Sequence, residues 1–262
     1  MIHTHRSDRG IVTAPHHLAA QAGCDVLKDG GSAVEAAVTV AATLAVVYPH
    51  MTGIGGDGFW LIAEPDGRVH AVDACGAAAG AADLSLYAGL ESVPWRGPLA
   101  ANTVAGTLSG WDAALAAASG TGLPRDRLLR DPIYYAREGV RVTRGGAEIA
   151  AVKGPELRLQ PGGYAAIFEP GGRPLAEGDL LRQPQLAATL ERLAAAGFGD
   201  FYTGALAGAV AADLAALGSP VAAADLAEHR AITPAPLRVG ITGADLFATV
   251  PPTQGLATLL IL

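Results

Sequence analysis

Cysteine is scarce in this chain of 262 residues, where Cys24 and Cys75 are the only two. Two thiols cannot build a disulfide framework, and these lack metal-ligand spacing, so the sequence points to a reducing, cytosolic setting. Lysine is scarce too: Lys28 and Lys153 stand alone beside the arginines, and the net charge is -7. Without a basic stripe or run there is nothing to follow a phosphate backbone, which argues against nucleic acid as a partner. Long apolar runs are also missing. The most apolar segment, Ala33 to Val47, is about fifteen residues and carries Glu35, Thr39 and Thr43, short of the roughly 18 that a membrane span needs. The start, with His3, His5, Arg6 and Arg9, has no charged cap followed by an apolar stretch, so no export signal is expected.

What is present is apolar and helical. Half of the residues are hydrophobic, enough for a sizeable core, and residues 1–262 are expected to form a single domain. His17 to Lys28 reads as a helix stopped by Asp29, Gly30 and Gly31. Ser32 and Glu35 form a capping-box pattern opening a second helix, buried all round, which ends before Pro49. Phe59 to Ala63 and Arg68 to Val72, joined by Pro65-Asp66-Gly67, predict a β-hairpin on a covered sheet. Helices are expected at Gly106 to Ala118 and from Asp131, with Pro132 in the first turn, to Gly139. Arg144 to Pro174 has little periodicity and reads as loops or short strands. Two amphipathic helices, carrying Leu186, Leu190 and Leu193 and then Leu206, Val210, Leu214 and Leu217, should pack against a sheet. A second hairpin pairs Leu237 to Ile241 with Leu246 to Val250. Gly255 to Leu262 resembles the opening of an apolar helix that stops without a cap, so further polypeptide is expected beyond it.

Gly53-Ile54-Gly55-Gly56-Asp57-Gly58 satisfies G-x-G-x-x-G, the dinucleotide fingerprint, which needs a strand before it and a helix after it. Here a helix precedes and a strand follows, so no helix N-terminus faces a phosphate from this loop. Gly53, Gly55, Gly56 and Gly58 are therefore expected to be structural, allowing positive φ and close backbone approach. Among possible metal ligands, His3 and His5 lie near the chain start, and His16 and His17 are adjacent and point to different sides of a helix; no third ligand accompanies either pair, so no metal is expected. His50 sits on the turn before the glycines. Cys75 could be a nucleophile but has no histidine nearby in sequence except His70 on a strand, and a small buried cysteine is the simpler reading. Thr253 reads as an N-cap. Neither Ser-His-Asp spacing nor a G-x-S-x-G elbow is seen.

In order along the chain, Val12 to Leu18 (VTAPHHL), Gly30 to Ala37 (GGSAVEAA), Val47 to Phe59 (VYPHMTGIGGDGF), Gly178 to Leu190 (GDLLRQPQLAATL), Phe201 to Gly204 (FYTG) and Val250 to Leu256 (VPPTQGL) together resemble the gamma-glutamyltranspeptidase family of N-terminal-nucleophile hydrolases. The resemblance implies an α+β fold, part of a four-layer αββα sandwich, with no cofactor. It implies a precursor that cuts itself and exposes a threonine, whose hydroxyl attacks an amide carbonyl with its own amine as base. That threonine and the small subunit of the same precursor would lie beyond this chain, leaving no catalytic residue within it. The partner classes implied are that small subunit and a small-molecule amide or gamma-glutamyl-type substrate.

By the same resemblance, glutamyl-specific members carry an arginine two residues after an aspartate to pair with the substrate carboxylate. Here the run is Asp73-Ala74-Cys75-Gly76, and a thiol cannot replace a bidentate clamp. The segments around Pro94-Trp95-Arg96 and Asn102 to Gly106 look more like the branch of small-acid amidohydrolases and acylases. Asp73, Cys75 and Gly76 are thus expected nearest the pocket, with Arg96 either an anion partner or a surface residue in a proline-bounded turn. Two alternatives stay open: a noncatalytic remnant or partner subunit of the same fold and, more remotely, a dinucleotide-binding oxidoreductase.

Overall fold

The computed structural model describes residues 4, 6–118 and 122–262; His3 and His5, weighed above as ligands, lie outside them. Helix α1 (His17–Lys28) begins at His16, whose Nδ1 accepts the Leu18 N–H, and ends at Asp29 and Gly30, the latter at φ +88°. Helix α2 (Ala33–Val47) has the expected capping box. Glu35 Oε2 accepts the Ser32 N–H at 2.6 Å, and its other oxygen accepts the Leu123 N–H at 2.6 Å. Gly23 lets α1 and α2 touch, since a Cβ there would lie 2.6 Å from Val40 Cγ2.

Strands β1 (Gly58–Ala63) and β2 (Val69–Ala74) form the expected hairpin, with Gly58 opposite Ala74 and Ala63 opposite Val69. It rests on α3 (Thr107–Ala117) through Trp60 and Ile62. Against the expectation of a covered sheet, its other face is left open among the described residues, with Phe59 and Leu61 38% and 45% exposed.

The next helix corrects the sequence expectation. Helix α4 runs Arg125–Glu138, so it starts six residues before Asp131, and Pro132 sits inside it. It stops at Gly139, φ +97°, as expected. After β3 (Val140–Arg141), the segment taken for loops contains α5 (Arg144–Leu157), with Thr143 accepting the Gly146 N–H as cap, and the short α6 (Tyr164–Phe168). Strand β4 (Leu180–Leu181) pairs with β3. Helices α7 (Pro184–Ala196), α8 (Asp200–Thr203), α9 (Ala205–Leu217) and α10 (Ala223–Glu228) follow.

The leucine-bearing α7 and α9 pack on helices, α7 against α4 and α9 against α8 and α10, rather than on a sheet. The main core lies there: Val38, Leu129, Leu190 and Leu193 are fully buried, and the Trp111 and Phe198 rings meet edge to face at 5.4 Å. Removing any one of those leucine side chains to alanine costs about 2–5 kcal/mol.

The second hairpin is β5 (Leu237–Ile241) with β6 (Ala244–Ala248); its return strand begins two residues earlier than expected because Thr242-Gly243 alone makes the turn, with Gly243 at φ +82°. In helix α11 (Gly255–Ile261) the N-cap position falls to Gln254, whose side chain makes no capping bond, rather than to Thr253 as expected; Thr253 Oγ1 instead accepts the Gly255 N–H at 3.3 Å. The content is α+β, as expected, and among the described residues the strands form three two-stranded antiparallel pairs. Among the described residues, no helix is long and apolar enough to cross a membrane.

Candidate active-site loop

Because Gly58 is opposite Ala74, the residues just outside the ladder, Asp57 and Cys75, are brought together. Asp57 Oδ1 accepts the Gly76 N–H at 2.9 Å, and Asp57 Oδ2 lies 3.6 Å from Cys75 Sγ. Asp73 Oδ1 accepts the Cys75 N–H at 2.9 Å, closing a turn over the strand end, while the Asp73 backbone exchanges two 2.8 Å bonds with Ile232. Asp73, at the end of β2, and Cys75 and Gly76, just beyond it, are thus held together with Asp57, a residue that sequence reasoning did not single out. The signal lay in the hairpin register: once Pro65-Asp66-Gly67 is the turn, Asp57 and Cys75 are nearly opposite.

Burial, and then the neighbouring Asp57 and Asp73 carboxylates, push the Cys75 thiol up from its ordinary value. It is therefore held as a thiol at neutral pH and is not an activated nucleophile. Cys75 is half-buried, and both cysteines are free.

The positive φ and close backbone approach expected of these glycines are not found at them. None of Gly53, Gly55, Gly56 and Gly58 has a positive φ. A Cβ on Gly55 or Gly56 would meet nothing within 4 Å, and one on Gly53 only the Gly55 nitrogen at 4.0 Å. The close approach lies one step away. A Cβ on Gly76 would sit 1.6 Å from the Val104 carbonyl oxygen, and one on Gly106 1.9 Å from that of Ala74. The chain at 74–76 thus crosses that at 104–106 in backbone contact. From there α3 holds the glycine segment: the Thr107 N–H and hydroxyl both donate to the Gly56 carbonyl, at 2.8 and 2.7 Å. The segment joins a helix to a strand, the order that argues against a nucleotide phosphate.

Asp57 lines two open clefts, of about 240 and 450 Å³, the first bordered by Phe59 and Thr107 and the second by His50 and Thr52. A separate, apolar-walled cavity of about 160 Å³ lies between Val142, Ile149 and Phe168 and contains none of Asp57, Asp73, Cys75 and Gly76. Arg96 is not brought to the loop: its Nε pairs with Glu156 of α5 at 2.8 Å, tying the Pro94 to Pro98 turn to that helix. His50 packs its ring against Tyr48 at 4.3 Å, and His16 stacks on His17 at 4.7 Å. Among the described residues, no three His, Cys, Asp or Glu side chains gather to hold a metal ion.

The model of the gamma-glutamyltranspeptidase family matches residues 19–262. The chain is 49% identical to the oxamate amidohydrolase proenzyme of Klebsiella pneumoniae, across 98% of this chain and 49% of that protein. It is 32% identical to the glutathione hydrolase proenzyme of Escherichia coli, across 97% of this chain and 44% of that protein. The gamma-glutamyltranspeptidase of Helicobacter pylori superposes with a TM-score of 0.90 at 28% identity, covering 96% of this chain and 73% of that one. The chain spans about half the length of the curated relatives it matches. With the match running through nearly all of its length, the chain belongs to the gamma-glutamyltranspeptidase family.

Proposed function

We propose that this chain is the large-subunit framework of an amide hydrolase whose acyl group is a small acid rather than a gamma-glutamyl group. The observation that carries the reading is the loop at Asp73 to Gly76, where Cys75 Sγ lies 3.6 Å from the Asp57 carboxylate and Arg96, the cation suggested for an anionic group, is engaged by Glu156. A loop built from a thiol and two carboxylates offers no bidentate partner to the α-carboxylate of a glutamyl substrate, and in this reading the carboxylate of a small acid such as oxamate is met by groups outside this loop. Similarity to an oxamate amidohydrolase proenzyme supports the small-acid class.

In this reading a threonine on the accompanying small subunit attacks the amide carbonyl, its own amine takes the proton, the amine product leaves, and water releases the acid. The loop described here forms one wall of the pocket. A cytosolic location is part of the same proposal and rests on the two free cysteines.

The test is to express the protein from its complete gene, look for self-cleavage into two fragments, and assay ammonia release from oxamate beside anilide release from a gamma-glutamyl anilide. Oxamate is expected to be hydrolysed with a kcat/KM at least about 100-fold above that of the anilide, the scale of losing a charged clamp. Efficient gamma-glutamyl turnover would overturn the substrate assignment, and an uncleaved, inactive protein would favour a noncatalytic relative of the same fold.

A further inference from the structure

Helix α3 starts at a residue that can carry no cap. Its N-cap is Gly106, which makes no side-chain hydrogen bond, and any side chain there would collide with the Ala74 carbonyl 1.9 Å away. A helix start leaves several backbone N–H groups in need of acceptors, and here one is supplied from 93 residues downstream. The Tyr202 hydroxyl accepts the Ser109 N–H at 3.0 Å and donates to the Ala105 carbonyl at 2.8 Å, bracketing the start of the helix from both sides.

Ser109 Oγ lies 2.8 Å from the Gly106 carbonyl and 2.8 Å from His229 Nε2. One hydroxyl hydrogen serves both if Ser109 donates to Gly106 and accepts from His229. The His229 ring in turn lies against Tyr202, centroids 5.2 Å apart. Tyr202 is buried, on a short helix fixed by Asp200, which takes two bonds from Arg192 at 2.5 and 2.8 Å and accepts the Ala205 and Leu206 N–H groups. Gly204 clears the way, because a Cβ there would lie 2.0 Å from Asp200 Oδ1.

We propose that Tyr202 is a positioning residue for the Asp73–Gly76 loop, acting through the start of α3. The path is continuous: Tyr202 and His229 hold the first turn of α3, Thr107 in that turn holds the Gly56 carbonyl, and Asp57, the next residue, holds Gly76 and Cys75. Loss of the Tyr202 hydroxyl leaves the Ala105 carbonyl and the Ser109 N–H without partners, loosens the first turn, and lets the loop shift. The kinetic part of this inference rests on the proposed function; the structural part does not.

The experiment compares Tyr202→Phe with Leu190→Ala, a core truncation in α7 that serves as a control for lost stability, in the protein expressed from its complete gene. Amide exchange in Tyr202→Phe is expected to speed up about tenfold or more at Ser109, Thr107 and Gly76 while α4 is unchanged. KM for the hydrolysed amide is expected to rise about three- to tenfold with kcat within about twofold. Leu190→Ala lowers Tm but leaves those three amides and KM as they were. Ser109→Ala, which removes the Gly106 and His229 bonds but leaves Tyr202 in place, is the second variant should Tyr202→Phe not fold, and it is expected to speed exchange at Thr107 and Gly76 in the same direction. Unchanged exchange at Gly76 in the folded variant overturns the inference. A wild type that hydrolyses no amide sinks the proposed function instead, and the exchange data still decide the role of Tyr202.

Discussion

The Thr39 hydroxyl, fully buried in α2, donates to the Leu128 carbonyl of α4 at 2.9 Å. That carbonyl is the one left without a helical donor by Pro132, four residues on, whose nitrogen carries no hydrogen. A proline that would normally break a helix is accommodated because another helix supplies the missing bond. Thr39→Val keeps the shape and removes the donor, and is expected to cost about 1–3 kcal/mol in denaturant unfolding. In a Pro132→Ala background the alanine N–H restores the bond within the helix, so the cost of Thr39→Val should shrink. Equal costs in the two backgrounds would show that the Thr39 bond does not compensate for the proline.

This pair also shows where the sequence was legible. Helices α1 and α2 could be placed because their stops and caps are local: His16, Ser32, Glu35 and Gly30 act within four residues of the helix ends they fix. Asp131-Pro132 imitates a helix start just as well, and what overrides it, Thr39, is 89 residues away from its partner. Helix α5 was hidden by Gly145, Gly146, Gly154 and Pro155; Thr143 caps it, and Gly154 leaves room for the Tyr164 hydroxyl, which a Cβ would meet at 3.0 Å. At the site, Asp73, Cys75 and Gly76 were legible as a run, whereas Asp57 acquires its role through strand register and Tyr202 through a contact across the fold.

The glycine assignments invert the expectation from the G-x-G-x-x-G pattern and can be checked directly. Gly76→Ala places a methyl group 1.6 Å from a carbonyl oxygen, so backbone must move; a loss of about 3 kcal/mol or more is expected, or failure to fold. Gly55→Ala enters open space at a φ that is not positive and should change stability by no more than about 0.5 kcal/mol. Thermal or urea unfolding of the two variants decides it. A destabilising Gly55→Ala beside a neutral Gly76→Ala would show that the crossing at Val104 is misplaced.

Cys75 offers a chemical readout of the loop. Its thiol is pushed up by burial first and by the Asp57 and Asp73 carboxylates next, so in a Cys24→Ser background alkylation by iodoacetamide should be slow near neutrality and should accelerate only at alkaline pH. Asp57→Asn removes the nearer charge while keeping an acceptor for the Gly76 N–H. It is expected to speed alkylation at pH 8 several-fold. A rate no faster than in the parent would mean that Asp57 does not govern the thiol.

Acid sensitivity follows from the histidines. His16, His50 and His229 all lie below their ordinary value of 6.5, each chiefly because burial disfavours the charged ring. For His16 the like charges of His17 and His50 add to this, and a proton on Nδ1 would also cancel its bond from the Leu18 N–H. Below pH 6.5 the unfolded chain takes up protons on these side chains before the folded chain does. Their contribution is therefore complete above 6.5 and is lost as the pH falls from there toward their depressed folded values. Tm should drop between pH 7.5 and pH 5.5, a window above the ordinary carboxylate range. His16→Asn retains a capping oxygen for the Leu18 N–H and cannot titrate, so its Tm should fall less across the same interval. An identical fall in the variant and the parent would remove His16 from the account and leave the acid loss to His50 and His229.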